Sequence, residues 1–393
     1  MKRLSYLVSK YWSSAAVTLG IISLSLIFYC YGASRFLPGL STAEVQTIHQ
    51  SGSIAEIVKN PLWIHYKILL FIAQSVGMSG TSLRYVSGVM AICIIATFYA
   101  ICRKFYSQRV SVLTTLLFGI SSTTLTLSRV ATPAILLYSL VSLISSIAWL
   151  RESRRTRFAP FIIFPIVALA LYTPGAIWFI GLLTLWFWKD IPLIYKHLKR
   201  QWIVLGVFCS LIMMLPLIYA SVQNIAVLRT WFLLPEHFSI ASFFVELKNV
   251  PSAFLYKSTP DPFYNLGRLP LLDAFSGTML LLGFYSYRTK VRLQRTIIYI
   301  FSALIGVFLA CINANQLYLV ICLPFIYLFM AEGLHFLLGE WRSVFPRNPI
   351  ARFVGTVFMS IAVLGTCSYH MNRYFLAWIN TPETKRAYSQ KIH

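Results

Sequence analysis

Apolar residues fall along the chain in twelve stretches, separated by short polar runs. The stretches are residues 15–31, 61–76, 84–102, 110–127, 133–150, 159–172, 176–188, 202–222, 271–287, 296–312, 317–338 and 353–369. A bilayer's hydrocarbon core is about 30 Å thick, and roughly 20 apolar residues in a helix cross it. The pattern therefore predicts an all-α, polytopic transmembrane helical bundle. Two segments stand apart by their length, 223–270 and 32–83, the latter enclosing the 61–76 stretch. Each carries enough aromatic residues, Phe232, Phe238, Phe243 and Phe244 among them, to predict order and contact with the membrane interface.

Basic residues set the direction of each crossing. Six clusters read as cytoplasmic: Lys2/Arg3/Lys10, Arg103/Lys104/Arg109, Arg151/Arg154/Arg155/Arg157, Lys189/Lys196/Lys199/Arg200, Arg288/Lys290/Arg292/Arg295 and Arg342/Arg347/Arg352. Two inside clusters must be separated by an even number of spans. Three apolar stretches lie between the first two clusters, so one of them does not cross. Residues 61–76 are the weakest, since they are short and carry His65, Lys67 and Gln74. They are expected to lie along the outer interface as an amphipathic or re-entrant helix. About eleven spans remain. The N-terminus is then cytoplasmic, and residues 372–393 form a short, exposed, non-cytoplasmic tail after a membrane domain of residues 1–371. Residues 159–172 and 176–188 read as two short helices broken at Tyr172-Thr173-Pro174-Gly175.

Composition supports this frame. The 393 residues are 58% hydrophobic and 11% charged, against about 25% charged in a soluble domain. The net charge of +23 would suggest nucleic acid in a soluble protein. Here the cations sit in interhelical clusters, so no nucleic-acid partner is expected. The seven cysteines fall within or at the ends of apolar stretches and form no Cys-x-x-Cys pair. Neither a disulfide framework nor a zinc site is expected. Met1-Lys2-Arg3 and the apolar stretch behind it read as a retained first helix.

Only eleven acids are present. Glu152, Asp190 and Glu340 sit beside inner basic residues and read as charge balance; Glu332 lies inside a span. The outer acids are Glu44, Glu56, Glu236, Glu246, Asp261, Asp273 and Glu383. Glu44 has two readings. A carboxylate at the outer membrane edge can take a proton from an acceptor hydroxyl or amine. Alternatively, Ser41 or Thr42 caps a short helix with Glu44 in its first turn, and residues alone favour that cap. The outer cations, Lys59, Lys67, Arg84, Arg129, Arg229, Lys248, Lys257 and Arg268, run against the positive-inside bias. Arg84 and Arg129 are suited to a phosphate at the membrane surface, or to simple anchoring among headgroups. His49 and His65 share the first outer loop with Glu44, but their spacing is not diagnostic of a metal site. No cofactor is implied with certainty. Walker, zincin and nucleophile-elbow motifs are absent from the sequence.

The outer elements, in order, resemble the GT-C superfamily of integral membrane glycosyltransferases. The similarity is to the branch holding protein O-mannosyltransferases and lipid A aminoarabinose transferases. Thr42-Ala43-Glu44-Val45 is similar to the family's first-loop Asp-Glu pair, with Ala43 in place of the Asp. Lys59-Asn60-Pro61-Leu62 resembles its Lys-Pro-Pro-Leu segment, and Arg84-Tyr85-Val86-Ser87 the start of its next span. Arg129-Val130-Ala131-Thr132-Pro133 resembles its Arg-x-Ala-Thr-Pro-Asp turn, with Ala134 in place of the final Asp. Tyr172-Thr173-Pro174-Gly175 resembles the next outer turn. The likeness covers roughly the first 190 residues, and beyond them mainly the layout.

The resemblance implies a multi-pass plasma-membrane enzyme of the cell envelope. It would move a sugar from a polyprenyl-phosphate-linked donor to a glycan, lipid or protein acceptor at the outer face. Glu44 would be the general base, with Lys59, His65, Arg84, Arg129 and Arg268 on the substrate side. Ala43 and Ala134 remove carboxylates that relatives use as base or metal ligand, which argues against dependence on a divalent metal. Two other classes stand beside this one: an inactive relative that binds a lipid-linked glycan, and a polytopic transporter or flippase.

Overall fold

The computed structural model describes residues 2–140, 143, 159–188, 199–288 and 293–390. Among the described residues the chain is helical throughout, with no strand. One isolated antiparallel bridge joins Leu40 to Gln390. Four helical segments are long and apolar enough to cross a membrane: Gly80–Phe105, Arg200–Gln223, Gln316–Val344 and Pro349–Asn380. A bent pair, Gln108–Ile120 with Ser122–Ser128, makes five if it is one span. Shorter apolar helices cover Ala16–Cys30, Pro160–Leu171, Ala176–Trp186 and Thr296–Ile312. The fold is that of a helical membrane protein.

The helices used below are α1 (Lys2–Cys30), α2 (Thr42–His49), α3 (Ile54–Lys59), α4 (Ile64–Ser75), α5 (Arg84–Phe105), α6 (Gln108–Ile120) and α7 (Ser122–Ser128). Next come α8 (Ala159–Leu171), α9 (Ala176–Trp186), α10 (Arg200–Gln223), α11 (Ile225–Trp231) and α12 (Ile240–Leu255). The chain ends with α13 (Ala274–Tyr287), α14 (Gln294–Ile312), α15 (Leu323–Val344), α16 (Pro349–Asn372) and α17 (Pro382–Ala387).

The core runs around α15. Every residue from Leu323 to Leu334 is buried, so this helix is wrapped by protein on all sides. Its nearest partner is α13. Gly283 and Gly333 face each other there: a Cβ on Gly333 would strike the carbonyl of Met279, and one on Gly283 the carbonyl of Phe329. Small residues at a crossing let two helix backbones touch, which is how helices gain dispersion contact where lipid removes the hydrophobic drive. Helix α10 is the opposite case. It exposes Val204, Phe208, Leu211, Leu215 and Val222, an apolar surface suited to contact with hydrocarbon.

Within residues 61–76 the chain forms one short helix, α4. It is 12 residues long, ~18 Å at 1.5 Å per residue. It buries Tyr66, Lys67 and Leu70 and exposes Ile68 and Ile72. The hairpin of α8 and α9 forms as expected, turned at Gly175, whose φ of +79° lies in the left-handed region.

Two expectations change. Residues 110–127 are not one straight helix, because α6 and α7 meet at 62°. Ser121 makes the break: its backbone is extended, and its hydroxyl accepts from the Thr124 amide to start α7 afresh. The segment after α16 is not an exposed tail. Arg373, Tyr374, Trp378, Ile379, Thr384 and Tyr388 are buried. It is a strap across the loops, held by the aromatic stack of Tyr374 on Trp378 at 5.3 Å. The second long loop contains the amphipathic α12, which exposes Phe244, Val245, Leu247 and Leu255. The expected span 133–150 begins as a 3-10 turn over Pro133–Ser139; most of its remainder lies outside the described residues. So do the whole Arg151–Arg157 cluster and, from the next two clusters, Lys189, Lys196, Lys290 and Arg292.

The interhelical segments assigned to the outer side are tied together at one end of the bundle. Ala131 N donates to Glu44 Oε1, joining the 129–133 turn to the first long loop. Trp63 N donates to Tyr172 O, and Gly175 N to Trp231 O. Thr259 Oγ1 donates to Gln316 Oε1, and Tyr388 Oη to Phe263 O. At the other end, Tyr106 and Tyr287 share a hydroxyl hydrogen bond of 2.9 Å, close to the Arg103/Lys104 cluster and Arg288.

Candidate functional site

Glu44 and Arg84 form a sealed node. Arg84 Nε donates to Glu44 Oε1 at 2.7 Å and Arg84 Nη2 to Oε2 at 3.0 Å. Both side chains are fully buried. Ser41 N donates to Oε2 at 2.8 Å and Ala131 N to Oε1 at 2.8 Å. Each carboxylate oxygen thus accepts two hydrogen bonds, which fills its ordinary acceptor capacity. Ser41 and Glu44 complete a reciprocal capping box at the start of α2. The cap reading of Glu44 is therefore what forms. An acceptor hydroxyl has neither a free lone pair nor a route to it in this arrangement. Arg84 also donates to Gly39 O at 2.6 Å, and its guanidinium lies 5.6 Å from the Tyr388 ring. Its Nη1 is buried without a partner.

Arg129 is equally committed. Its Nη1 donates to Phe28 O at 2.6 Å and its Nη2 to Tyr31 O at 2.8 Å, carbonyls in the last turn of α1 and just past its end, where intrahelical donors run out. The rings of Phe36, Tyr374 and Phe375 surround its guanidinium at 5.0–5.5 Å. In this arrangement Arg129, 1% exposed, closes the C-terminus of the first helix.

The remaining sequence-derived residues are scattered. Lys59 is 72% exposed and pairs with Glu56 one helical turn back at 2.8 Å. Arg268 is exposed and makes no side-chain hydrogen bond among the described residues. His65 lines an apolar cavity of about 330 Å³ with Met90, Cys93, Ile94, Leu136 and Leu169. Its Nδ1 has no partner, and burial pulls its pKa down to about 4. Lys67, two residues on, is 2% exposed and donates to Asn60 O at 2.7 Å. Burial lowers its pKa to about 8. Among the described residues no three His, Cys, Asp or Glu side chains meet as a metal site.

A second cavity has different chemistry. It holds about 350 Å³ between α12, the loop before α13 and the turn joining α14 to α15, and Glu246, Asp261, Tyr264, Asn265, Asn313 and Gln316 help line it. Its walls carry two carboxylates, several amides and a phenol, a set that can both donate to and accept from a ligand rich in hydroxyls. Glu246 makes no side-chain hydrogen bond among the described residues. Asp261 accepts from Phe263 N through one oxygen only, at 3.0 Å, and burial pushes its carboxyl up from the usual range. Burial likewise lifts the Tyr264 phenol to about 12.

The strap fixes this pocket's wall. Arg373 donates to Pro270 O at 2.6 Å and to the Asn265 side chain. Tyr388, beside Arg84, donates to Phe263 O at 2.8 Å. Gln316 holds the opposite wall, accepting from Ser258 Oγ, Thr259 N and Thr259 Oγ1. Nearby, Asp273 caps α13 and also meets His370 Nε2 at 3.3 Å. His370 Nδ1 accepts from Ser122 N, so the ring is the Nε2–H tautomer donating to Asp273.

Sequence reasoning named Asp261 and Glu246 as outer acids but did not choose them. The missed signal is Asn313-Ala314-Asn315-Gln316, a polar run too amide-rich for a bare turn between two apolar spans. Arg373 and Tyr388 carried no local signal, since their partners lie more than 100 residues away. The chain matches no protein-family model, and no characterised protein matches its sequence.

Proposed function

We propose that this chain is a membrane glycosyltransferase that moves a sugar from a polyprenyl-phosphate donor to an acceptor at the outer membrane face, working in the pocket bounded by Glu246, Asp261 and Gln316. The observation that carries this reading is a cavity of about 350 Å³ lined by two carboxylates with unused acceptor oxygens and by several amides, on the loop-rich end of the bundle. Pockets of roughly 300–1,000 Å³ hold small ligands, and this lining suits a sugar's alternating hydroxyls. The ordered motif resemblance in the first 190 residues supports the class. The apolar cavity beside His65 offers room for hydrocarbon.

The same reading places about eleven crossings in the bilayer, with the N-terminus cytoplasmic and the strap outside. The interloop hydrogen bonds support it, because segments bonded to one another must share a side. Glu44 and Arg84 then act as the brace that holds the first loop to the 129–133 turn, and not as base and phosphate clamp.

Glu44 sealed by four hydrogen bonds also favours a second reading, a protein that binds a lipid-linked glycan without transferring it. One experiment separates them. Purified protein in lipid bilayers is incubated with radiolabelled polyprenyl-phosphate sugars and an envelope extract. Transfer of label to extract components is expected. Donor binding without transfer supports the non-catalytic reading, and absence of both overturns the sugar-ligand account.

A further inference from the structure

We propose that Asp261 is the catalytic base of this pocket, taking the proton from the acceptor hydroxyl as that oxygen attacks the sugar. The inference rests on the reading of the chain as a sugar transferase and names the group that performs the step.

Hydrogen bonding and exposure set the acids apart, among the described residues. A base needs a carboxylate oxygen with an unused lone pair, in a cavity, at a fixed position. Glu44 is fully buried with both oxygens doubly bonded. Asp273 accepts from the Phe275 and Ser276 amides and from Thr366, and meets His370. Glu56 is exposed and paired with Lys59. Glu332 is wholly buried inside α15, where Ser286 donates to it. Glu236, Glu340 and Glu383 are exposed on the surface, whereas Asp261 and Glu246 line a polar cavity.

Asp261 is the better held of the two. Its backbone carbonyl accepts from Tyr264 N at 3.1 Å and Asn265 N at 2.7 Å, closing a turn around it. One side-chain oxygen accepts from Phe263 N, and the other bonds nothing among the described residues. The turn is in turn clamped by Arg373 through Asn265 and by Tyr388 through Phe263. Glu246 has no hydrogen bond to orient it, which suits a group that binds a sugar hydroxyl. Burial raises the Asp261 carboxyl, moving it toward the range where a base is most effective near neutral pH. The chemistry balances. The acceptor O–H breaks, its proton goes to the free Asp261 oxygen, and the acceptor oxygen bonds the anomeric carbon. The anomeric carbon–phosphate oxygen bond breaks, and the lipid phosphate leaves with the electron pair.

The test uses full-length protein in bilayers with a radiolabelled polyprenyl-phosphate sugar, measuring donor binding, transfer rate and its pH dependence. Asp261→Asn keeps a carbonyl for Phe263 N, so the turn persists. Donor affinity within about threefold of wild type is expected, with the transfer rate reduced about 10²–10⁴-fold. Wild-type transfer should fall with acidification around a raised carboxyl pKa, a limb that Asp261→Asn removes from its residual rate. Asp261→Glu should restore part of the rate. Wild-type transfer matched by equal transfer in Asp261→Asn, or by an unchanged acid limb, overturns the role of Asp261 alone. No transfer by wild type takes down the transferase reading first, and the base with it.

Discussion

Arg84 grips Glu44 across 40 residues of sequence with both partners shut away from solvent, at 2.7 Å and 3.0 Å. Breaking a buried pair on one side leaves an uncompensated charge, at a cost of about 3–5 kcal/mol. Replacing both partners by apolar residues removes that charge. Glu44→Ala should therefore lower the thermal midpoint in detergent sharply. Glu44→Leu combined with Arg84→Met should recover more than half of the loss. A single variant as stable as wild type would mean that the pair does not brace the loops.

Arg129 acts on the end of α1. It supplies donors to the carbonyls of Phe28 and Tyr31 while three aromatic rings enclose its planar head. Lysine cannot bridge two carbonyls in that fork geometry or stack as well. Arg129→Ala and Arg129→Lys should both speed amide hydrogen exchange over residues 28–36, with stability reduced by about 2 kcal/mol. Full protection in the lysine variant would show that charge alone suffices.

The strap predicts a third outcome. Tyr388→Phe removes one hydrogen bond, to Phe263 O, and should cost about 1 kcal/mol. Deletion of residues 373–393 also removes Arg373 from Asn265 and Pro270. Limited proteolysis should then cut within residues 256–270 much faster than in wild type, and slower or equal cutting would contradict the clamp.

Histidine burial gives a pH signature. The folded pKa of His65 is about 4, against 6.5 for the free side chain. Between these values the unfolded chain binds a proton that the folded chain refuses, so stability rises with pH through that window. Acidification from pH 6.5 to pH 4 should lower stability by up to ~3 kcal/mol through this group. His65→Leu should flatten that part of the profile, measured as unfolding midpoint against pH.

Local signals proved legible and distant ones did not. The hydropathy of 84–102 and 202–222 marked α5 and α10, and Ser41-x-x-Glu44 marked a cap that depends on four consecutive residues. Tyr172-Thr173-Pro174-Gly175 marked its turn because a left-handed glycine has a local cause. The bend at Ser121 was hidden, since its hydroxyl competes with the helix for backbone partners inside an apolar run. Arg84 and Arg129 could be recognised as out-of-place cations, but not their uses, which are set by Glu44 and by the carbonyls of α1. Asp261 was visible only as one acid among seven outer ones. What distinguishes it is a cavity assembled from three segments and a strap whose Tyr388 bonds Phe263 across 125 residues of sequence.

The central claim is that the sugar of a lipid-linked donor occupies the pocket beside Asp261 and not the Glu44 node. Thiol alkylation tests it directly, using full-length Thr259→Cys and Lys59→Cys proteins in bilayers and subtracting the labelling of the native cysteines. A polyprenyl-phosphate sugar should slow alkylation at position 259 several-fold and leave position 59 unchanged. Unaltered labelling at 259, under conditions where the donor binds, would contradict the account.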